Sequence, residues 1–159
     1  MLVIKSKNEE ETRTLGRILG RRAFPGMIIA LQGDLGAGKT VFTQGVAQGA
    51  GVSGTVNSPS YVLMNLYHGR VELYHFDFYR LEEEDDLFEL GLEEYFYGDG
   101  ITLIEWADKF PSVLPADRLE IEIKKSDKDW DVRYLFFKPI GKLDHSVLEE
   151  IKEYASAGN

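Results

Sequence analysis

The sequence predicts an α/β fold built on a strand, a glycine-rich loop and a helix in direct succession. Three observations carry this prediction. Met27-Ile28-Ile29-Ala30-Leu31-Gln32 is a short apolar run with the length of a buried strand. Gly33-Asp34-Leu35-Gly36-Ala37-Gly38-Lys39-Thr40 follows, and it fits G-x-x-x-x-G-K-[ST] at every fixed position. Lys39 to Ala50 then reads as a helix, with Val41, Phe42 and Val46 among its apolar positions. Without its flanks, such a loop is a glycine-rich turn that matches by chance; the strand before it and the helix after it make it a site.

The residue types explain the chemistry. Gly33, Gly36 and Gly38 allow backbone conformations that a side chain forbids, so that main-chain N–H groups approach a phosphate closely. The helix start adds unpaired donors and roughly half a positive charge. Lys39 brings a point charge for the outer phosphates, and the Thr40 hydroxyl is placed to ligate Mg²⁺.

Composition narrows the class. A chain of 159 residues is expected to be one domain, residues 1–159, that buries about two thirds of its unfolded surface. The chain has no cysteine, which excludes disulfides and thiolate metal sites. No run is apolar enough to span a bilayer and the N-terminus carries no signal-peptide pattern, so no membrane role and a cytoplasmic location are expected. The net charge of −9 argues against a broad direct contact with nucleic acid, which needs clustered Lys and Arg.

The remaining elements follow in order. Met1 to Ser6 reads as an edge strand. Asn8 caps the next helix with Glu11 in the capping-box position, and Leu15, Ile18 and Leu19 form its apolar face. Arg17, Arg21 and Arg22 lie toward its C-terminal end, where positive charge suits the helix dipole. Pro25-Gly26 turns the chain into the loop-bearing strand, and Gly49 and Gly51 end the helix after the loop. Ser53 to Ser60 is a polar connection, read either as a switch that senses the γ-phosphate, with Ser58 and Ser60 as its hydroxyls, or as an ordinary surface loop. Tyr61 to Tyr67 and Val71 to Phe78 are expected to form a hairpin around His68-Gly69. Alternation puts Leu73, His75 and Asp77 on one face. Asp77 either meets a cation or pairs locally, with Arg80 or as a turn cap. From Leu81 to Asp108 there is no Lys or Arg. Glu82 to Asp86 opens this acidic stretch, and Phe88, Leu92, Tyr95, Phe96 and Tyr97 are interleaved with it. Much of that apolar set is expected in the core, while the acidic outer surface could dock a basic partner. Ile101-Thr102-Leu103-Ile104-Glu105 is an apolar strand that delivers an acid to the sheet's C-terminal edge. Trp106, next in sequence, packs near the nucleotide or covers the sheet edge. Arg118 to Ile123 and Asp131 to Lys138 are expected to be antiparallel strands. Asp144 is expected to cap a last helix with Val147, Leu148, Ile151 and Tyr154 inward, and Ala155 to Asn159 to fray.

A phosphate cradle, a lysine, a hydroxyl and two strand-end carboxylates suffice for metal-assisted phosphoryl transfer by positioning and charge stabilisation. Thr40 is the direct metal ligand in this reading; Asp77 and Glu105 complete the metal's shell or orient the attacking water. No N-K-x-D motif is present, which favours ATP over GTP. The missing basic lid between Leu81 and Asp108 counts against a small-metabolite kinase. No arginine is plainly placed as a finger, Arg80 and Arg133 being the candidates, so slow intrinsic hydrolysis is expected.

Gly33 to Thr40, Ser58-Pro59-Ser60-Tyr61, His75-Phe76-Asp77-Phe78-Tyr79-Arg80 and Ile104-Glu105-Trp106 together resemble, in order and spacing, the bacterial TsaE (YjeE) ATPases. The resemblance covers about the central half of the chain. It implies a P-loop ATPase whose mixed sheet has a parallel core with antiparallel additions, flanked by helices. It implies binding of ATP, ADP and Mg²⁺ and a role in the threonylcarbamoyladenosine modification of tRNA. It also implies action on a TsaB–TsaD pair, with tRNA met only indirectly. By position, Gly33 to Val41 and Trp106 would line the nucleotide. Lys39 and Thr40 would hold phosphate and Mg²⁺, with Asp77 and Glu105 as the acids around the metal. Ser58 and Ser60 would belong to the switch-like segment. Ser60 departs from the family's usual Thr; the hydroxyl survives and the methyl is lost. A nucleotide-gated binding module with incidental hydrolysis is the alternative.

Overall fold

A strand that is apolar on both sides needs both of its faces covered, and β2 (Ile28–Gln32) accordingly lies inside the sheet, with Ile28 to Leu31 all buried. The computed structural model describes residues 1–54, 56 and 64–157. Among these the strands are β1 (Leu2–Ser6), β2, β3 (Met64–Tyr67), β4 (Leu73–Asp77), β5 (Ile101–Glu105), β6 (Arg118–Lys125) and β7 (Arg133–Ile140). The helices are α1 (Glu9–Arg22), α2 (Lys39–Gly49), α3 (Leu92–Phe96) and α4 (Glu149–Ser156), with 3₁₀ turns at Glu84–Leu90, Ala107–Lys109, Pro111–Val113 and His145–Leu148. The expected α/β class, with a mixed sheet between helices, is what the chain adopts. The described strands form one sheet in the order β1-β7-β6-β2-β5-β4-β3. Its centre, β6-β2-β5-β4, is parallel, and β7, β1 and β3 join it antiparallel. No helix of the described residues is long and apolar enough to cross a membrane.

The two faces of the sheet are covered differently. Ile29, Leu31, Leu103, Leu119 and Ile121 face α1, α2 and α4 in the larger core. Ile28, Ala30, Phe76 and Ile104 face the segment from Leu81 to Phe96 in the smaller one. Two features of that segment and its end stand out. Glu84–Leu90 winds as 3₁₀ helix. Phe88 and Tyr97 stand 79% and 78% exposed among the carboxylates, while Leu87, Leu92 and Phe96 supply the core contacts. The stretch Glu82 to Asp86 thus borders exposed aromatic surface.

At the first helix Asn8 Oδ1 accepts the Glu11 amide at 2.9 Å. The Glu11 carboxylate accepts from the Lys7 amide, one residue before the cap, at 2.7 Å, so the capping box closes one residue early. Arg70, from the β3–β4 connection, donates to the carbonyls of Gly20, Arg21 and Ala23 and satisfies the helix's C-terminal end. Asp144 caps the 3₁₀ turn that leads into α4, and the helix continues to Ser156 where fraying was expected.

α1 and α2 lie backbone to backbone. A Cβ added at Gly16 would sit 2.3 Å from Phe42 O, and one at Gly20 2.1 Å from Val46 O. From the other side, a Cβ at Gly45 would meet Arg13 O at 2.1 Å and one at Gly49 would meet Arg17 O at 2.1 Å. Each helix therefore offers two glycines four residues apart, on one face. Gly45→Ala is expected to destabilise the protein by about 1–3 kcal/mol in urea unfolding, the usual cost of overpacking. Alanine's better helix propensity contributes only roughly 0.5–1 kcal/mol in the other direction. Stability equal to or above wild type would mean that the helices do not approach this closely.

Candidate functional site

The loop after β2 is held at both ends by closely packed elements. Gly33 follows the buried strand, and a Cβ there would come 2.6 Å from the Ile123 carbonyl of β6. Gly38, at φ 112°, turns the chain into α2 in a conformation that L side chains rarely adopt. Lys39 opens the helix with its side chain folded back under the loop, where Nζ donates to Gly33 O at 2.5 Å and Asp34 O at 2.8 Å. Arg133 Nε, from β7, donates to Ala37 O at 2.9 Å, so this guanidinium is committed to holding the loop rather than to reaching across it as a finger.

Two carboxylates arrive from the neighbouring strands. β5 lies beside β2 and β4 beside β5, all parallel, so their C-terminal ends meet at the loop. The register pairs Asp77 directly with Glu105. Glu105 is only 3% exposed, and its Oε2 accepts from His75 Nε2 at 2.5 Å. Asp77 accepts the Tyr79 amide at 2.9 Å, which makes it a turn cap as well as a cavity residue. A cavity of about 420 Å³ opens where these parts converge, bounded by Leu35, Gly36, Gly38, Lys39, Thr40, Val41, Asp77, Tyr79, Arg80, Glu105 and Trp106. Gly33, Asp34 and Ala37 face a neighbouring recess instead, with Asp108 and the end of β6, and Trp106 borders both.

Trp106 is the one non-glycine residue of the described chain with positive φ, at 58°. Such a conformation costs of order 1–3 kcal/mol and persists where surrounding contacts hold it. Here the ring lies under Lys39, with Nζ 4.3 Å from its centroid, and packs on Tyr79 at 4.9 Å. Burial pulls the Lys39 pKa below its ordinary value, against the opposing pull of Glu105, Asp77, Asp108 and Asp34.

Of the sequence-predicted residues, the structure brings together the loop from Leu35 to Val41 apart from Ala37, both acids and Trp106. Ser58 and Ser60 lie outside the described residues. Sequence reasoning missed Tyr79 at the cavity wall, the anchoring role of Arg133 and the contact of His75 with Glu105. The last was legible in part, because alternation had already placed His75 on the face of Asp77.

Fold and site define a mixed α/β protein with a strand–glycine loop–helix cradle and two strand-end acids at the C-terminal edge of its sheet. The chain belongs to the family described as "Threonylcarbamoyl adenosine biosynthesis protein TsaE", whose model matches residues 6–134. It is 40% identical over 156 residues to the tRNA threonylcarbamoyladenosine biosynthesis protein TsaE of Bacillus subtilis (strain 168), covering 98% of this chain and 96% of that one. The protein of the same name from Treponema pallidum (strain Nichols) is 40% identical over 119 residues, covering 75% and 88%. The crystal structure of Bacillus subtilis YdiB superposes with a TM-score of 0.82 at 36% identity, covering 96% of this chain and 95% of that one.

Arg133→Met should loosen the loop. Hydrogen bonds from a charged donor contribute roughly 1.5–3 kcal/mol, so amide exchange at Gly36 to Gly38 is expected to speed up by about tenfold or more. Unchanged protection at those amides would show that the loop is held without Arg133.

Proposed function

We propose that this chain is an ATP-binding, slowly hydrolysing, Mg²⁺-dependent ATPase required for the threonylcarbamoyladenosine modification of tRNA. The observation that carries the reading is the convergence of loop, lysine, hydroxyl and two register-paired acids on one cavity. The relatives' names supply the process.

In this reading the loop's N–H groups and the start of α2 donate to phosphate oxygens, and the Lys39 ammonium, fixed from behind by two carbonyls, adds charge without needing to reorganise. The donor set fits magnesium. Thr40 offers one hydroxyl and Glu105 and Asp77 offer carboxylates, and no cluster of three His, Cys, Asp or Glu side chains able to hold a metal occurs among the described residues. That matches an ion bound through few protein oxygens, with phosphates and waters completing its shell. Bound there, Mg²⁺ would neutralise charge on the β- and γ-phosphates. Glu105 presents its carboxylate from a buried position, and Asp77, fixed by the Tyr79 amide, orients the attacking water. Trp106 walls the cavity under Lys39.

ATP is preferred to GTP because the chain lacks the guanine-reading N-K-x-D motif. Arg133 is spent on the loop, which leaves Arg80 as the cavity's arginine. Turnover is then slow until a partner completes the charge clamp, since a supplied arginine is worth about 10³–10⁵-fold in such reactions. A TsaB–TsaD-type assembly is the proposed partner. The acidic stretch from Glu82 to Asp86, beside exposed Phe88 and Tyr97, suits a basic protein surface, and the net charge of −9 keeps any contact with tRNA indirect.

Lys39→Ala is expected to weaken ATP binding by roughly 1.5–3 kcal/mol, the scale of a charge-assisted hydrogen bond; wild-type affinity and turnover in this variant would move the nucleotide elsewhere. Asp77→Ala and Glu105→Ala should each lower kcat more than they weaken ATP binding, as measured by single-turnover and equilibrium titration. Normal hydrolysis in both would remove the acids from the reaction. ATP turnover of the chain alone, then with TsaB and TsaD added, tests the partner: the expected result is stimulation, and equal rates would count against a partner-completed site.

A further inference from the structure

We propose that His75 is the positioning residue of this site: its Nε2–H holds one oxygen of Glu105 inside the protein and so leaves the other to a divalent cation bound with the nucleotide. The inference rests on the reading of Glu105 given above, and nothing in that reading uses His75.

The side chain of His75 is fully buried, and that of Glu105 is 4% exposed. A ring with two polar nitrogens is an expensive occupant of the middle of β4, where Leu73 and Phe76 on either side are apolar. Among the described residues only one nitrogen is satisfied. Nε2 meets Glu105 Oε2 at 2.5 Å, and Nδ1 is the buried side-chain polar atom that has no hydrogen-bond partner among the described residues. A leucine here would carry no such orphan, so packing alone does not account for the residue. The contact with Glu105 does. His75 stands opposite Leu103 in the parallel register, two residues before the Asp77–Glu105 pair, and its ring reaches along the strand to the carboxylate. A carboxylate that takes a cation only accepts, so in the proposed state the hydrogen lies on Nε2. Oε2 is thereby engaged, and Glu105, which lines the cavity, has its other carboxylate oxygen left for a ligand there. A buried carboxylate with no such donor has no reason to keep this rotamer. Outer groups that orient a metal-binding side chain act in this way, and their loss typically costs about 10–100-fold in metal affinity.

The test is the tightening of a non-hydrolysable ATP analogue by Mg²⁺, read by calorimetry as the ratio of Kd in EDTA to Kd in saturating Mg²⁺. His75→Leu is expected to cut this ratio by about 10–100-fold while leaving Kd in EDTA at the wild-type value. His75→Gln, whose amide nitrogen can take the place of Nε2, should restore it. An unchanged ratio in His75→Leu, or equal weakening with and without metal, would overturn the proposal. Should His75→Leu fail to fold, His75→Asn replaces it: the amide is kept but withdrawn from Glu105, and the same loss is expected. Glu105→Gln separates the two readings. If it keeps the full Mg²⁺ effect, the metal role of Glu105 itself fails. If it loses the effect while His75→Leu and His75→Asn keep it, only the positioning role of His75 fails.

Discussion

The site depends on the contact between two helices that approach each other through glycines. Gly16 and Gly20 on α1 face Gly45 and Gly49 on α2, with carbonyls where Cβ atoms would otherwise stand. α2 begins at Lys39, so whatever fixes α2 also fixes the second half of the glycine-rich loop. The first half is fixed by β2, locked between β5 and β6. A loop fixed by packed elements at both ends has little freedom left. Phe42 and Val46, fully buried on the same helix, seat α2 on the sheet, and Phe42 meets Phe137 of β7 at 6.2 Å between ring centroids. Close approach on one side and large apolar side chains on the other leave the helix one position.

In a protein of net charge −9 the charge balance at the loop is set locally, not by the total. At physiological ionic strength the screening length is about 8 Å, so the acids on distant surfaces weigh little at the loop. What weighs there is near: the Lys39 ammonium, the loop amides and the start of α2. Four carboxylates, Glu105, Asp77, Asp108 and Asp34, pull the lysine toward its charged form, and burial pulls the other way and prevails. The two groups of charge are thus interdependent. A cation buried among several acids is balanced by them within the folded chain itself.

Much of this architecture was legible in the chain because it follows from short-range patterns. β5 is legible to the residue, Ile101 to Glu105, since four apolar or small residues ending in an acid admit few alternatives. β2, the loop and α2 were read from spacing, and Asn8 and Asp144 were read as caps from their positions ahead of apolar helical faces. What escaped notice depends on partners far away in sequence. The reach of Arg70 to the end of α1 spans 47 to 50 residues, and that of Arg133 to the loop spans 96. No local pattern announces either. The glycine pairs of α1 and α2 were visible as glycines four residues apart, but within one helix such a pair reads only as a weak helix; its meaning needs the second helix. Which members of the aromatic set lie outside the core, Phe88 and Tyr97, was not legible for a related reason. Aromatic residues in an acidic, irregular segment have no periodicity to assign a face, and the 3₁₀ winding of Glu84–Leu90 turned Leu87 inward and Phe88 out.

The pairing of Asp77 with Glu105 shows how a chemical arrangement can follow from packing alone. Side chains alternate along a strand, so the face on which each acid falls is set by the apolar residues before it. On β4, Leu73 joins the larger core and Phe76 the smaller one; on β5, Leu103 and Ile104 divide in the same way. These choices fix the register Leu73 to Ile101, and with it Asp77 to Glu105, four residues further along. A slip by one residue on either strand would bury a polar face and expose an apolar one, at a cost far above anything the acids themselves contribute. The carboxylates therefore meet at the loop because the core holds them there, and His75, between Leu73 and Asp77 on the same face of β4, occupies the one position of that strand from which a polar ring faces the α2 side ahead of the strand's end.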